Sequence, residues 1–152
     1  MSTAEVLSPP PVVKTIVVAL EPRQAFELFT RDLARWWPLA THSCSGADAA
    51  TVAIEEHVGG LVLEMSRSGA RHLWGTVQVW EPPQRFAMSW HPSSAPDRAT
   101  ALDVTFSPAG DGCRIHLVHS GWERRPESEQ ARSKYDQGWD AVLARYLQRA
   151  VR

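Results

Sequence analysis

Sulfur is scarce in this chain. Cys44 and Cys113 are the only cysteines among 152 residues. They lie too far apart for a close-spaced metal motif, and two do not make a disulfide framework. That usage fits a reducing compartment, with both expected as free thiols. Long apolar runs are missing too, since no stretch approaches the roughly eighteen residues that a membrane span requires. No membrane partner is therefore expected. Met1 to Pro11 holds no lysine or arginine followed by an apolar segment, so it does not read as a secretory signal. The expected location is the cytoplasm. An excess of charge of one sign is absent as well: sixteen basic residues are scattered among seventeen acidic ones, for a net charge of −1. Nucleic acid is not an expected partner. The sequence also lacks a nucleophile elbow, a Ser-His-acid context, a phosphate-cradling glycine loop and a dinucleotide fingerprint, which disfavours covalent and nucleotide chemistry.

What the chain has in quantity is tryptophan, with seven beside four phenylalanines and two tyrosines. Each indole offers a broad apolar face and a single N–H donor, which suits a cavity wall or an interface. The length fits one domain with one core.

Residues 1–11 end in Ser8-Pro9-Pro10-Pro11 and are expected to form a mobile or extended leader, with the domain covering 12–152. The β-branched run from Val12 to Ala19 predicts a first strand. Pro22 followed by Ala25, Phe26, Leu28 and Phe29 at helical spacing predicts a short helix over 22–30. A second is predicted over 32–37, closed by Pro38, and a flexible loop of small residues over 41–50. From 51 to 121 the period changes to two, and glycine and proline breaks delimit six strands joined by hairpins. Gly59-Gly60 is read as a two-residue turn, and Ala109 to Gly112 as a longer one. Alternation puts Leu61, Leu63 and Met65 on the covered face, with Glu64 opposite and exposed, and Phe86, Met88 and Trp90 inward. After Pro126, the residues Ala131, Tyr135, Trp139, Val142, Leu143, Tyr146 and Ala150 recur at steps of three and four. They predict a long helix that covers the sheet.

This order, with Trp36-Trp37-Pro38, Glu56-His57-Val58-Gly59-Gly60, Trp74-Gly75-Thr76-Val77 and the stretch from Trp80-Glu81-Pro82-Pro83 to Trp90, resembles a known family. It is the activator-of-heat-shock-ATPase-homologue branch of the START-like superfamily, also called SRPBCC or polyketide cyclase-like. The resemblance spans about residues 12–150. It implies an α+β helix-grip fold, in which a curved antiparallel sheet of about seven strands wraps a long C-terminal helix and leaves a cavity between them. It brings no shared catalytic set and no cofactor. The eukaryotic co-chaperones of that branch carry an additional N-terminal chaperone-binding domain, to which nothing in this sequence corresponds.

The candidate ligand-binding residues are Trp36, Trp37, His42, His72, Trp74, Met88, Trp90, Phe106, Tyr135 and Trp139. Their chemistry is that of pockets that are mostly apolar with a few orienting polar groups. Plain core packing would use the same aromatic residues. His72 is placed on one face with Trp74, Thr76 and Trp80. Glu56, Glu64 and His72 are the candidates for acid or base work, with Glu64 weakened by its predicted exposure. His42 and Cys44 with His116 and His119 are the best zinc set that can be assembled. It fails because residues three apart on a strand point to opposite faces. No metal is expected. Three readings stay open. The first is a module that binds or sequesters a small apolar molecule, and the second a cavity enzyme of the cyclase, aromatase or hydrolase kind. The third is an interaction or chaperone-accessory module using Trp80 or Trp122, with self-association as a homodimer open to it.

Overall fold

The computed structural model describes residues 9–151. Most of the expected leader therefore lies outside the described residues. Within them, strand β1 (Val12–Val18) is followed by helices α1 (Pro22–Phe29) and α2 (Leu33–Trp36). Six strands come next: β2 (Ala49–Ile54), β3 (Leu61–Ser66), β4 (Arg71–Glu81), β5 (Arg85–Trp90), β6 (Thr100–Ala109) and β7 (Gly112–Ser120). The long helix α3 (Ser128–Arg149) closes the chain. The seven strands form one sheet in the order β1-β7-β6-β5-β4-β3-β2, every neighbouring pair antiparallel. This is the α+β helix-grip architecture.

Helix α3 is held by the face that its spacing predicted. Ala131, Trp139, Val142, Leu143 and Tyr146 are buried, and Tyr135 is half-buried. At the far end Tyr146 donates its hydroxyl to Ala25 O at 2.8 Å, locking α3 to α1. Lys14 on β1 pairs with Asp136 and Asp140 of α3, both at 2.9 Å. Near the helix start, Arg132 donates to the carbonyls of Pro10 and Pro11. Beneath α1, Phe26 packs on Trp80 and Phe106, with ring centroids 5.1 Å apart in each case.

Three expectations need correction. The link between β2 and β3 is a six-residue turn over 55–60 rather than a two-residue one. Only Gly59 takes a positive φ, +88°, whereas Gly60 is required because a Cβ there would sit 2.4 Å from Glu55 O. The phase of β3 is reversed: Val62, Glu64 and Ser66 face inward, while Leu61 and Met65 are 37% and 38% exposed. Apolar residues occupy both faces of this strand, so alternation could not choose between them. In β4, two register steps break the period of two. Against β3, Trp74 is the extra residue between Leu73 and Gly75, and a second step falls between Val77 and Val79 against β5. Thr76 is consequently paired with outward-facing Leu61 and does not share a face with Trp74. Bulges of this kind re-aim a side chain, and this one turns Trp74 into the interior.

Candidate functional site

A cleft of about 610 Å³ opens between α3, the loop after α2 and the inner face of β4 and β5. Its wall is a tryptophan cluster. Trp37 lies 5.1 Å from Trp74, 5.8 Å from Trp90 and 5.7 Å from Trp139, centroid to centroid. Trp90 lies 5.5 Å from Trp74 and 5.6 Å from Trp139. These separations suit tilted and edge-to-face contacts. Each side chain arrives from a different element: the end of α2, the β4 bulge, the last residue of β5, and α3. The site therefore exists only once the fold is complete.

Every indole N–H of the wall is already used. Trp37 donates to His42 O at 2.7 Å and Trp74 to Glu64 Oε1 at 2.9 Å. Trp90 donates to the Tyr135 hydroxyl at 3.1 Å, and Trp139 to His119 Nδ1 at 3.0 Å. What these four indoles offer a ligand is aromatic surface. The hydroxyl of Tyr135 is different, because it accepts from Trp90 while its own proton has no acceptor among the described residues. Burial raises its pKa, so it is a neutral O–H donor at the cleft wall.

Two buried polar residues hold this wall in place. Glu64 is 0% exposed. Its carboxylate accepts the backbone N–H of Cys44 at 2.8 Å, the N–H of Ser45 at 2.7 Å, the Ser45 hydroxyl and the Trp74 indole. Burial on its own would raise its pKa. The donors from Ser45, Cys44 and Trp74 outweigh that, and hold the group below its ordinary value as an anion. Loop 41–50, expected to be flexible, is thereby anchored to the sheet, and Glu64 is a clamp rather than an exposed residue.

His119 is also 0% exposed. Because Nδ1 accepts from Trp139, the ring proton sits on Nε2, which donates to Thr100 Oγ1 at 2.6 Å. The Thr100 hydroxyl in turn donates to Trp90 O at 3.2 Å. Desolvation, with a smaller contribution from the Arg125 charge, pushes the pKa of His119 down to about 3. It is a neutral strut between two cleft tryptophans. In the sequence alone His119 stands out only as a zinc-ligand candidate. The available signal was its place in the inward series Cys113, Ile115, Leu117, His119 along β7, all buried.

Of the ten candidate residues, Trp37, His42, Trp74, Trp90, Tyr135 and Trp139 meet at the cleft. Trp36, Met88 and Phe106 lie in the core instead: Trp36 packs on Phe29 and Tyr146 and donates to Leu28 O at 2.8 Å, and Phe106 packs on Phe26 and Phe29. His72 pairs in register with Glu64 and borders a separate shallow depression with Cys44, His91 and Ser93. Glu56 is exposed and pairs with Arg31 at 3.2 Å. Trp122 is fully buried and Trp80 partly so, so neither forms an exposed aromatic patch. Among the described residues, no three His, Cys, Asp or Glu side chains converge as a metal site, and His116 faces out towards Thr15 while His119 faces in. None of the described helices is long and apolar enough to cross a membrane.

Gly138 completes the lining from α3, and a Cβ built there meets nothing within 4 Å. Glycine inside a helix costs about 1 kcal/mol relative to alanine. A leucine at this position would fill part of the cleft while restoring helix propensity. Gly138→Leu is therefore expected to melt no lower than the parent protein in a thermal denaturation followed by circular dichroism.

Several proteins of known structure are similar to this chain. The anthrahydroquino-gamma-pyrone synthase Txn09, solved in complex with SUM, is 36% identical over 84% of this chain and 86% of its own, with a TM-score of 0.60. Protein MLL2253 from Mesorhizobium loti is 17% identical over 91% of this chain and 94% of its own, with a TM-score of 0.69. The Aha1 dimer from Colwellia psychrerythraea is 12% identical over 92% and 95%, with a TM-score of 0.66. The last two likenesses concern the fold alone. No curated protein matches the chain. The family model described as Activator of Hsp90 ATPase homolog 1-like protein matches residues 19–152. With that match over nearly the whole domain, and with the sheet, the long helix and the cleft between them in place, the chain belongs to the Activator of Hsp90 ATPase homolog 1-like family, within the START-like superfamily.

Proposed function

We propose that the cleft binds a small, flat, aromatic molecule that carries a ketone or quinone oxygen. The observation behind this reading is the combination of four tryptophans whose N–H groups are all used internally with the Tyr135 hydroxyl, whose proton has no acceptor among the described residues. A wall with aromatic faces and no spare indole donors favours stacking over hydrogen bonding. Tyr135 then supplies an orienting donor beside the aromatic wall, as expected of a mostly apolar pocket. A cleft of about 610 Å³ falls within the range typical of small-molecule sites.

The test compares anthraquinone with anthracene by quenching of tryptophan fluorescence. The parent protein should bind the quinone more tightly, and Tyr135→Phe should weaken quinone binding roughly tenfold, the equivalent of one neutral hydrogen bond, with little change for the hydrocarbon. Equal losses for both probes would mean that the substitution disturbs the wall, and that Tyr135 does not orient the ligand.

A second reading, catalysis of ring closure, is favoured by the 36% identity to a gamma-pyrone synthase. In the conjugate addition of a phenol oxygen to an unsaturated ketone, the C–O bond forms at the β-carbon as the C–C π pair moves through and places negative charge on the ketone oxygen, and the proton lost by the phenol ends on the α-carbon. A donor already aimed at that oxygen stabilises the charge more than it stabilises the ground state. Turnover would appear as ring-closed product from a hydroxyanthraquinone bearing an unsaturated ketone side chain. Binding without any product over the uncatalysed background would leave the chain as a carrier.

A further inference from the structure

Arg125 sits at the mouth of the cleft, immediately before α3, in an arrangement that neither the fold nor the tryptophan wall explains. Its side chain is half-buried and lines the cleft. One terminal nitrogen donates to Ser94 Oγ at 3.3 Å, a long bond to a neutral partner. Its Nε is buried and has no hydrogen-bond partner, the only such side-chain atom among the described residues. No carboxylate among the described residues pairs with it, although Lys14, Arg31 and Arg85 all have acidic partners. An unpaired, partly desolvated guanidinium is costly, and it offers a planar fork of donors that matches an acidic oxygen pair. Lys134, one turn along α3 from Ala131, adds a second cation to the lining with no salt-bridge partner among the described residues, of which Glu127 is the one carboxylate in the lining. The charge of Arg125 also reaches the Tyr135 hydroxyl, so cation and O–H donor serve the same end of the cleft.

We infer that Arg125 forms an anion subsite, so that the aromatic ligand of this cleft carries an acidic oxygen group, a carboxylate or an ionised phenol, held by the guanidinium while its ring system stacks on the tryptophans. The inference rests on the aromatic-ligand reading above and adds the charge of the ligand to it. The guanidinium is retained at a cost in the empty protein, which the ligand's oxygens offset. Substituting it should therefore not lower the stability of the unliganded chain.

The probes are anthraquinone-2-carboxylate and its uncharged primary amide, which share ring system and shape. In the unmodified protein the carboxylate should bind about tenfold or more tightly than the amide, the equivalent of one charge-assisted hydrogen bond. That preference should shrink between 50 mM and 500 mM sodium chloride. Arg125→Gln should abolish it, Arg125→Lys should retain part of it, and Arg125→Gln should melt no lower than the parent. Binding of both probes with equal affinity in the unmodified protein overturns the anion subsite and leaves the aromatic-ligand reading standing. A preference that survives Arg125→Gln also overturns it. Failure of both probes to bind removes the aromatic-ligand reading, and the subsite with it. The comparison in the unmodified protein decides the matter even if the variants do not fold.

Discussion

Lowering the pH from 7 to 4 is expected to remove on the order of 3 kcal/mol of folding free energy through His119 alone. The folded-state pKa of about 3 lies below the ordinary 6.5, so within that window the unfolded chain binds the extra proton and the folded chain does not. Stability from this group is therefore complete above pH 6.5 and is lost progressively as the pH falls towards 3. Protonation would place a proton on Nδ1 against the Trp139 N–H and charge an imidazolium that is fully buried. Urea denaturation at intervals from pH 7 to 4 measures the slope. His119→Gln is the control, because a glutamine can accept from Trp139 and donate to Thr100 without titrating. Its stability should fall far less over pH 6.5 to 4 than that of the parent. Parallel curves for the two proteins would mean that His119 is not held neutral in the core.

Glu64→Ala is expected to cost about 3–5 kcal/mol, because several buried donors lose their acceptor at roughly 1–3 kcal/mol each. The substitution leaves the N–H groups of Cys44 and Ser45 and the indole of Trp74 without their acceptor. Its effect should be local before it is global. Amide hydrogen exchange should accelerate at Cys44 and Ser45 under conditions where the β6–β7 hairpin remains protected. Glu64→Gln should fall between the parent and the alanine variant, since its amide keeps one acceptor oxygen but turns an NH₂ group towards the remaining donors. Unchanged exchange at Cys44 and Ser45 in Glu64→Ala would show that the loop is anchored by other contacts. Because the donors hold the Glu64 pKa below its ordinary value, its contribution is complete above the ordinary carboxylate pKa and is lost as the pH falls from there through the depressed folded pKa, a window that opens at lower pH than that of His119.

The sequence was most informative where one pattern carried one meaning. Helix α3 has a single apolar face, so its buried residues were legible from spacing, and β5 alternates cleanly enough to place Phe86, Met88 and Trp90 inward. Strand β3 has apolar residues on both faces, and the inward set contains a glutamate whose cost is met by donors from a loop some twenty residues earlier. Local pattern cannot register such a long-range compensation. The β4 bulges are equally silent in sequence, because an extra residue leaves composition unchanged and alters only pairing. For the cleft, residue type identified the tryptophans but could not separate Trp37, Trp74, Trp90 and Trp139 from Trp36, which uses the same chemistry to fill the core. Arg125 passed as one scattered cation among sixteen, since its lack of a partner is a property of three-dimensional placement.

Whether the tryptophan cleft is a binding site is tested most directly by a fluorescence titration with anthraquinone-2-carboxylate on the parent protein and on Gly138→Leu. The prediction is saturable quenching in the parent and its loss in the variant, whose melting temperature is unchanged or higher. Quenching that is absent from the parent, or that survives undiminished when the cleft is filled from Gly138, would contradict the assignment of this cleft as the ligand site.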